Sequence, residues 1–299
     1  MPNARIALLT DRGVLSVTGQ DAVKLLQGIV TNDMERLDDE GAIHTGLLSP
    51  QGKILFDFFV TRAADGLLID TLKTSVPQLK QRLEMYKLRA DAEIRDVSSD
   101  YTVAVCWGGP HAAAHENSPT VGFRDPRHTG LGFRHLASLA SEWRNDREGA
   151  EPATQEDYRA HRISIGVPAA GHDFPLGDTY PHEALYDQTR SVSFTKGCYV
   201  GQEVVSRMQH RSTARKRIVP VETAGALPAR GADIRAGDVV IGTLGSVAGR
   251  RGLALIRLDR AAEFRAKGVG LKAGDAAIEI ALPDWVTFPL TPADTAASS

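Results

Sequence analysis

Cysteine is almost absent from this chain: two residues, Cys106 and Cys198, in 299. They lie far apart and form no Cys-x-x-Cys, which excludes a disulfide scaffold and points to a reducing compartment. Long apolar runs are missing too. None reaches about 18 residues, so no membrane-spanning helix is expected. Charge of one sign is not in excess: the net charge of −2 gives no global attraction to nucleic acid or to an anionic membrane. The chain runs directly into Ile6 to Leu9 without the apolar core of a signal peptide. A bacterial-type cytoplasmic setting is expected, with a mature mitochondrial matrix form as the alternative. What is present is ordinary for a globular protein: 42% hydrophobic and 24% charged residues. The length allows two or three packed units at roughly 100–200 residues each.

Apolar patterning predicts short strands alternating with helices. Ile6 to Leu9 and Val14 to Val17 read as a hairpin around Asp11, Arg12 and Gly13. Thr18 and Asp21 have capping-box spacing for a helix to Gln27, with Gly28 as its stop. Thr31, Asn32 and Asp33 read as a further cap or turn. The run from Gly46 to Gly52 and Lys53 looks superficially like a phosphate loop. Its glycines are one residue too far apart, and Ile54 stands where a magnesium-binding Ser or Thr is needed, so nucleotide hydrolysis is excluded. A turn over Pro50 to Lys53 leads into a strand from Ile54 to Val60, apolar except for Asp57. Ile54, Phe56, Phe58 and Val60 share one face, and Leu55, Asp57 and Phe59 the other. A carboxylate on such a strand must be paired, hydrogen-bonded or open to a cavity. It binds a ligand amine, pairs with an arginine, or reaches water at a sheet edge.

Leu67 to Leu72 completes a second hairpin. Ser75 then caps a helix with Pro77 in its first turn and Val76, Leu79, Leu83 and Tyr86 along one face. Ala92 to Val97 and Tyr101 to Trp107 are strands, with Cys106 in the core. His111 and His115 have the spacing of a helical metal pair but lack an intervening Glu and a third ligand, so no metal is expected there. Gly130 to Arg134 reads as a return strand. Thr154 and Asp157 cap a helix ended by Gly166, Val167 and Pro168. Pro168 to Pro181 is a loop of a length that is often functional. Glu183 is either a helix-cap carboxylate or a cavity residue. Arg207, His210, Arg211, Arg215, Lys216 and Arg217 form the densest basic run, a solvated linker or an anion site; it lacks the interleaved aromatics of a single-strand binder. From Ile218 onward, strands at Ile218 to Val221, Val239 to Leu244, Leu253 to Leu258 and Ala277 to Leu282 suggest a small antiparallel barrel or sandwich. The expected division is residues 1–215, 216–290 and a disordered tail at 291–299.

The stretch from Ser193 to Glu203 carries the most chemistry. A strand-like run, Ser191 to Phe194, leads through glycines 197 and 201 to a helix beginning at Gln202, where Val204, Val205 and Met208 recur at helical spacing. Cys198 precedes that helix N-terminus and lies two residues from Lys196, and both neighbours favour thiolate. It is either a reactive or ligating cysteine, or a small apolar residue packed under a turn. Lys196-Gly197-Cys198-Tyr199-Val200-Gly201-Gln202-Glu203 resembles the signature of the YgfZ family of folate-binding-like proteins, relatives of the glycine-cleavage T-protein aminomethyltransferase. Extended back to Val192, it is more similar to the mitochondrial branch, which acts late in making 4Fe–4S proteins. Leu26 to Asp33, Ser49 to Lys53, Arg162 to Pro168, Pro181 to Glu183 and Leu282 to Trp285 carry the same resemblance along the chain.

The resemblance implies an α+β, T-protein-like fold: two interleaved ferredoxin-like units followed by a C-terminal antiparallel β-barrel, with a folate-like cavity where the three parts meet. It implies a tetrahydrofolate-binding accessory protein for assembly or repair of iron–sulfur proteins, with an influence on tRNA modification through iron–sulfur enzymes. Its partners are then a folate and iron–sulfur assembly or client proteins. Cys198 is the residue expected to act. Lys196 would tune its thiol, Gly197 and Gly201 would shape the loop, and Gln202 and Glu203 would cap or orient it. Asn32, Asp33, Asp57, Glu183, Tyr199 and Arg207 join them as folate-side residues. A 4Fe–4S cluster needs about four thiolates. Any cluster contact is therefore transient, shared with a partner or bridged by a small thiol, and no stably bound metal is expected. One alternative is a folate-dependent aminomethyl or one-carbon transferase using Asp57. Against it, Phe56 replaces the first of two adjacent carboxylates, and Ser164 and Ile165 stand where T-protein relatives carry a pterin-binding Glu. A further alternative is an RNA-associated module using residues 207–217.

Overall fold

The computed structural model describes residues 4–109, 120–138, 150–210 and 214–290. The chain forms two compact units, Met1–Tyr158 with Thr189–Gln202, and Arg159–Gln188 with Glu203–Ser299. His111, His115, Arg211 and the expected tail at 291–299 lie outside the described residues.

The first unit holds two five-stranded sheets. Its strands are β1 (Arg5–Leu8), β2 (Arg12–Thr18), β3 (Ala42–Leu48), β4 (Ile54–Ala63), β5 (Gly66–Leu72), β6 (Glu93–Asp96), β7 (Tyr101–Trp107), β8 (Thr120–Arg124), β9 (Phe133–Ser138) and β10 (Glu151–Pro152). One sheet has the order β3-β4-β5-β2-β6 and the other β10-β1-β7-β9-β8. The chain leaves the second sheet after β1, builds the whole first sheet, then returns, which is the expected interleaving. Pairing is antiparallel except for the short β1–β10 edge.

The expected β1–β2 hairpin does not form. β1 pairs with β7, Arg5 opposite Trp107, while β2 pairs with β5 and β6. Both segments are strands, but adjacency in sequence did not choose their partners.

Helices α1 (Ala22–Gln27) and α3 (Val76–Lys87) cover one face of the first sheet, and the short α2 (Leu37–Glu40) lies between them in sequence. Leu25, Leu26, Leu79 and Leu83 pack there with Leu15, Phe56, Phe58 and Val60. Full burial of each such side chain contributes about 1.5–3 kcal/mol. Ser75 does not cap α3: its backbone is already helical after a short 3-10 turn, and its side chain makes no cap hydrogen bond. Nor does Asp21 cap α1; its Oδ2 instead accepts from Asp91 N, 2.9 Å away. Leu55 packs against the α1/α3 cluster rather than beside Asp57 and Phe59. A register shift at Leu47/Leu48 breaks the strict alternation of β4 at that point. On the other face, Val14, Phe59 and Leu68 pack with Ala7, Val105, Trp107 and Leu136 of the second sheet.

The second unit contains a closed barrel in the order β11-β14-β13-β12-β15-β16. Its strands are β11 (Lys216–Glu222), β12 (Asp233–Ala236), β13 (Val239–Ala248), β14 (Arg251–Arg257), β15 (Leu271–Ala273) and β16 (Ala276–Ile280). Every pairing is antiparallel. β12 and β15 were not anticipated, nor was a helix between β14 and β15, Leu258–Ala266, whose alanines favour helix and whose Leu258 and Ala261 are buried three residues apart. Two further helices, Gln155–Ile165 and Gln202–His210, contain the junctions between the units. The first opens with the expected capping box: Thr154 Oγ1 accepts from Asp157 N at 3.1 Å, and Asp157 Oδ2 accepts from Thr154 N at 2.9 Å. Within the second unit, buried Arg162 donates to Asp173 and Val167 O, and Trp285 Nε1 donates to Ile165 O at 2.9 Å.

Candidate functional site

The cysteine loop is pinned on both sides of the thiol. Before it, Ser193 N donates to Thr31 O at 2.9 Å. Thr31 Oγ1 in turn donates to Ser191 O at 2.8 Å. After it, Gly201 has φ +81°, and a Cβ there would sit 2.6 Å from Ser49 O and 3.1 Å from the Gly52 Cα. Only glycine allows the loop to lie this close to the Ser49–Lys53 turn. Gly197 is different: a Cβ added there would meet no atom within 4 Å. Gln202 Oε1 accepts from Tyr199 N and Gln202 N donates to Tyr199 O, both at 3.3 Å, so Gln202 closes the turn onto its helix. Tyr199 is buried, and burial pushes its phenol up. Cys198 itself is exposed, which removes the reading of a small residue packed beneath a turn.

Lys196 behaves differently from the tuning group that the motif suggested. It is 8% exposed, and Nζ donates to Gln27 O at 2.7 Å, Val30 O at 2.8 Å and Asn32 O at 2.8 Å. Burial lowers its pKa to about 8, with Asp33 opposing the shift. Three convergent acceptors require three N–H donors, which the ammonium has and the neutral amine does not. All of its hydrogens are thus directed at carbonyls rather than at sulfur.

Asp57 pairs with a histidine, a partner that was not among the ligand amine, arginine or water left open by its sequence setting. Asp57 lies opposite Gly46 and His44 lies opposite Phe59 in the β3–β4 ladder. His44 and Asp57 are therefore diagonal neighbours on one face, and Gly46 leaves room between them. His44 Nε2 is 3.1 Å from Asp57 Oδ2. His44 Nδ1 is 2.7 Å from Ser191 Oγ, which is 2.7 Å from Thr189 Oγ1. Burial lowers the His44 pKa, with Asp57 the largest opposing influence. The result is a buried carboxylate–imidazole–hydroxyl chain ending just ahead of the cysteine loop.

Around this chain lies a cluster of buried charges that sequence reasoning missed. The Phe59 ring has the guanidinium groups of Arg134 and Arg127 at 4.2 and 4.7 Å. Asp70 accepts from Arg12 Nε at 2.6 Å and from Arg134 Nε at 3.0 Å. Asp125 accepts from Arg127 at 2.7 Å. Burial alone would raise the Asp125 carboxyl, but Arg127 and Arg134 beside it hold it below the usual range. The available signal was Asp70 itself, a second carboxylate in an apolar strand.

The other predicted residues bond to backbone and side-chain groups of the protein itself. Asn32 donates to His44 O at 2.8 Å and Arg190 O at 2.7 Å, and its Oδ1 accepts from Asp33 N and Arg36. Asp33 caps the 3-10 turn Met34–Arg36. In the second unit, Glu183 Oε2 accepts from Tyr180 N at 2.9 Å within a run of turns, not at a helix end. Arg207 pairs with Glu203 one helical turn away, and Arg217 is buried against Asp187. The basic run is thus partly neutralised. Among the described residues, no group of three or more His, Cys, Asp or Glu is placed to hold a metal ion, and no helix is long and apolar enough to cross a membrane.

Comparison with known proteins places these features. Residues 9–118 match the GCVT N-terminal domain, and residues 215–288 match the CAF17 C-terminal beta-barrel domain. The fold is similar to the crystal structure of glycine cleavage system aminomethyltransferase T from Bartonella henselae, with a TM-score of 0.74 over 95% of this chain and 87% of that one, at 15% identity. The mitochondrial iron–sulfur cluster assembly factor IBA57 homolog of Mycosarcoma maydis is 36% identical over 233 residues, 73% of this chain. This chain spans only 57% of the length of that relative. The Aspergillus fumigatus homolog is 30% identical over 329 residues, covering 90% of this chain and 73% of the relative. On that similarity the chain belongs to the IBA57 family, within the wider group that shares the GCVT N-terminal and CAF17 barrel domains.

Proposed function

We propose that this chain serves the assembly or repair of iron–sulfur proteins, with Cys198 as the sulfur it offers. The exposed thiol on a pinned loop carries the reading. Cys106, the other cysteine, is buried and its thiol is pushed up by burial. A cluster is cargo here: one thiol supplies one ligand, and a partner protein or a small thiol supplies the rest. A reducing compartment keeps that thiol available. Any effect on tRNA modification would follow through client iron–sulfur enzymes. The test is complementation of cells lacking the native protein with Cys198→Ala and Cys198→Ser, reading iron–sulfur enzyme activity. Activity should stay at the level of the empty control; full rescue by either variant removes the thiol from the mechanism.

Tetrahydrofolate is the second reading, favoured by the GCVT N-terminal match and by Asp57 held beside His44. Asn32, Asp33 and Lys196 fit it less well, since their polar atoms bond neighbouring backbone and would shape loops rather than touch a pterin. Calorimetric titration of the purified protein with tetrahydrofolate, repeated on Asp57→Asn, decides it. Saturable binding weakened by the substitution supports the reading; absence of binding ends it. The transferase alternative would need turnover of an aminomethyl donor in the same assay.

A further inference from the structure

We infer that Lys196 is a positioning residue: its ammonium clasps the cysteine loop onto the carbonyls of Gln27, Val30 and Asn32 and so fixes where Cys198 is presented. The inference rests on the reading of Cys198 as the acting group, and it assigns Lys196 a role different from adjusting that group's charge.

Three observations carry it. First, the bonds are non-local, joining residues 169, 166 and 164 positions apart. They hold one segment of chain against another rather than stabilising a local turn. Second, the cradle has its own need for a donor. Gln27 ends α1, so its carbonyl is one of those a helix leaves without an internal partner. Val30 and Asn32 follow in irregular chain with both carbonyls buried against the ammonium. Buried carbonyls left without a donor cost free energy comparable to a lost hydrogen bond. Third, the remaining pins are spaced around the thiol. Ser193 is tied to Thr31, and Gly201 is seated on Ser49. Between these points Phe194, Thr195, Gly197 and Cys198 are exposed, and buried Lys196 divides them into two short spans. The loop is held at 193, 196 and 201, and the sulfur projects from the second span.

The geometry also distinguishes lysine from arginine. Three acceptors converge on a single nitrogen at 2.7–2.8 Å. A tetrahedral ammonium matches that arrangement. The planar guanidinium spreads its hydrogens over a fork and does not, so conserving the charge does not conserve the clasp.

The test uses the full chain with Lys196→Met, Lys196→Arg and, as a control, Leu83→Ala, which truncates the core of the same unit from α3, a helix that supplies none of the loop's pins. Hydrogen exchange is measured at matched distance below each variant's melting temperature. Residues 193–201 should exchange more than about tenfold faster in both Lys196 variants, because charge-assisted hydrogen bonds are lost there, and no faster than wild type in the control. Loop exchange in Lys196→Met equal to that in Leu83→Ala overturns the inference. Wild-type protection in Lys196→Arg overturns the three-donor basis. Should the variants fail to fold, the wild-type protein still answers: Lys196 must give a slowly exchanging ammonium resonance, and its absence refutes the clasp. None of these measurements involves a cluster, so failure of the iron–sulfur reading, seen as rescue by Cys198→Ala, stays separate.

Discussion

His44 gives the first unit an acid sensitivity that one substitution should remove. The imidazole is 3% exposed and its pKa is lowered, chiefly by burial. In the unfolded chain it titrates near about 6.5. The sign follows from proton counting. Above that value His44 is neutral in both states and its contribution is complete. As the pH falls, the unfolded chain takes up a proton that the folded chain refuses, and stability is lost down to the folded value. While the folded imidazole stays neutral, the loss is about 1.4 kcal/mol at pH 5.5 and about 2 kcal/mol at pH 5.0. His44→Gln removes the titration but also breaks the contacts to Asp57 and Ser191, so it lowers stability at pH 7.5 as well. The informative quantity is therefore the change with pH. His128 and His182 are depressed by burial in the same direction but are common to both proteins. The assay is urea unfolding read by hydrogen exchange of β3 and β4 peptides, so the signal reports this unit. The wild-type protein should lose more than His44→Gln between pH 7.5 and 5.0, by up to about 2 kcal/mol. Equal losses in the two proteins would refute the reasoning. Asp57→Asn supplies the complement: without the carboxylate that opposes the depression, the acid loss should extend to lower pH than in wild type.

Further substitutions test the packing around the loop and in the second unit. Gly201→Ala places a methyl group 2.6 Å from Ser49 O at φ +81°, and should cost about 1–3 kcal/mol by urea denaturation, whereas Gly197→Ala, with no atom within 4 Å, should stay within about 0.5 kcal/mol of wild type. Arg217→Ala leaves the Asp187 carboxylate buried without its two guanidinium bonds and should cost about 3–5 kcal/mol in the second unit; a cost below about 1 kcal/mol would show that water reaches the pair.

How far the chain could be read depended on whether the determining contact was local. β4 and β7 were recognisable because long β-branched and aromatic runs leave few alternatives. The capping box at Thr154 and Asp157 was legible because both partners sit three residues apart. Pairing was not: β1 finds β7 across the entire first sheet, and no nearby residue announces it. β12 and β15, of four and three residues, are too short to show a period. The same division holds in the site. The motif around Cys198 could be recognised from its residues, but the partners of Lys196 are backbone carbonyls, which carry no side-chain signature. Asp57 stood out as a carboxylate among apolar neighbours. Its partner could not be named without the register that sets Gly46 opposite it and His44 on the diagonal.

The chain's two thiols have been separated by their surroundings, and on the proposed reading this bears on how it would handle a cluster. Cys106 lies in β7, buried, and unreactive by the cost of ionising it there. Cys198 stands in solvent on a loop whose neighbours are hydrogen-bonded in place. A chain with one accessible thiol cannot compete with a four-thiolate site for permanent possession of a cluster. On the proposed reading it would occupy one coordination position while another protein holds the others, and would withdraw by breaking a single metal–sulfur bond. The pinned loop favours entry as well, because a ligand already held in position loses less conformational entropy on binding than one on a mobile segment. Rapid entry and easy exit suit a transfer step better than storage. The substitution that should weaken this behaviour is not at the cysteine but at Lys196: loosening the clasp keeps the thiol and raises the ordering cost, so transfer should slow while thiol accessibility persists.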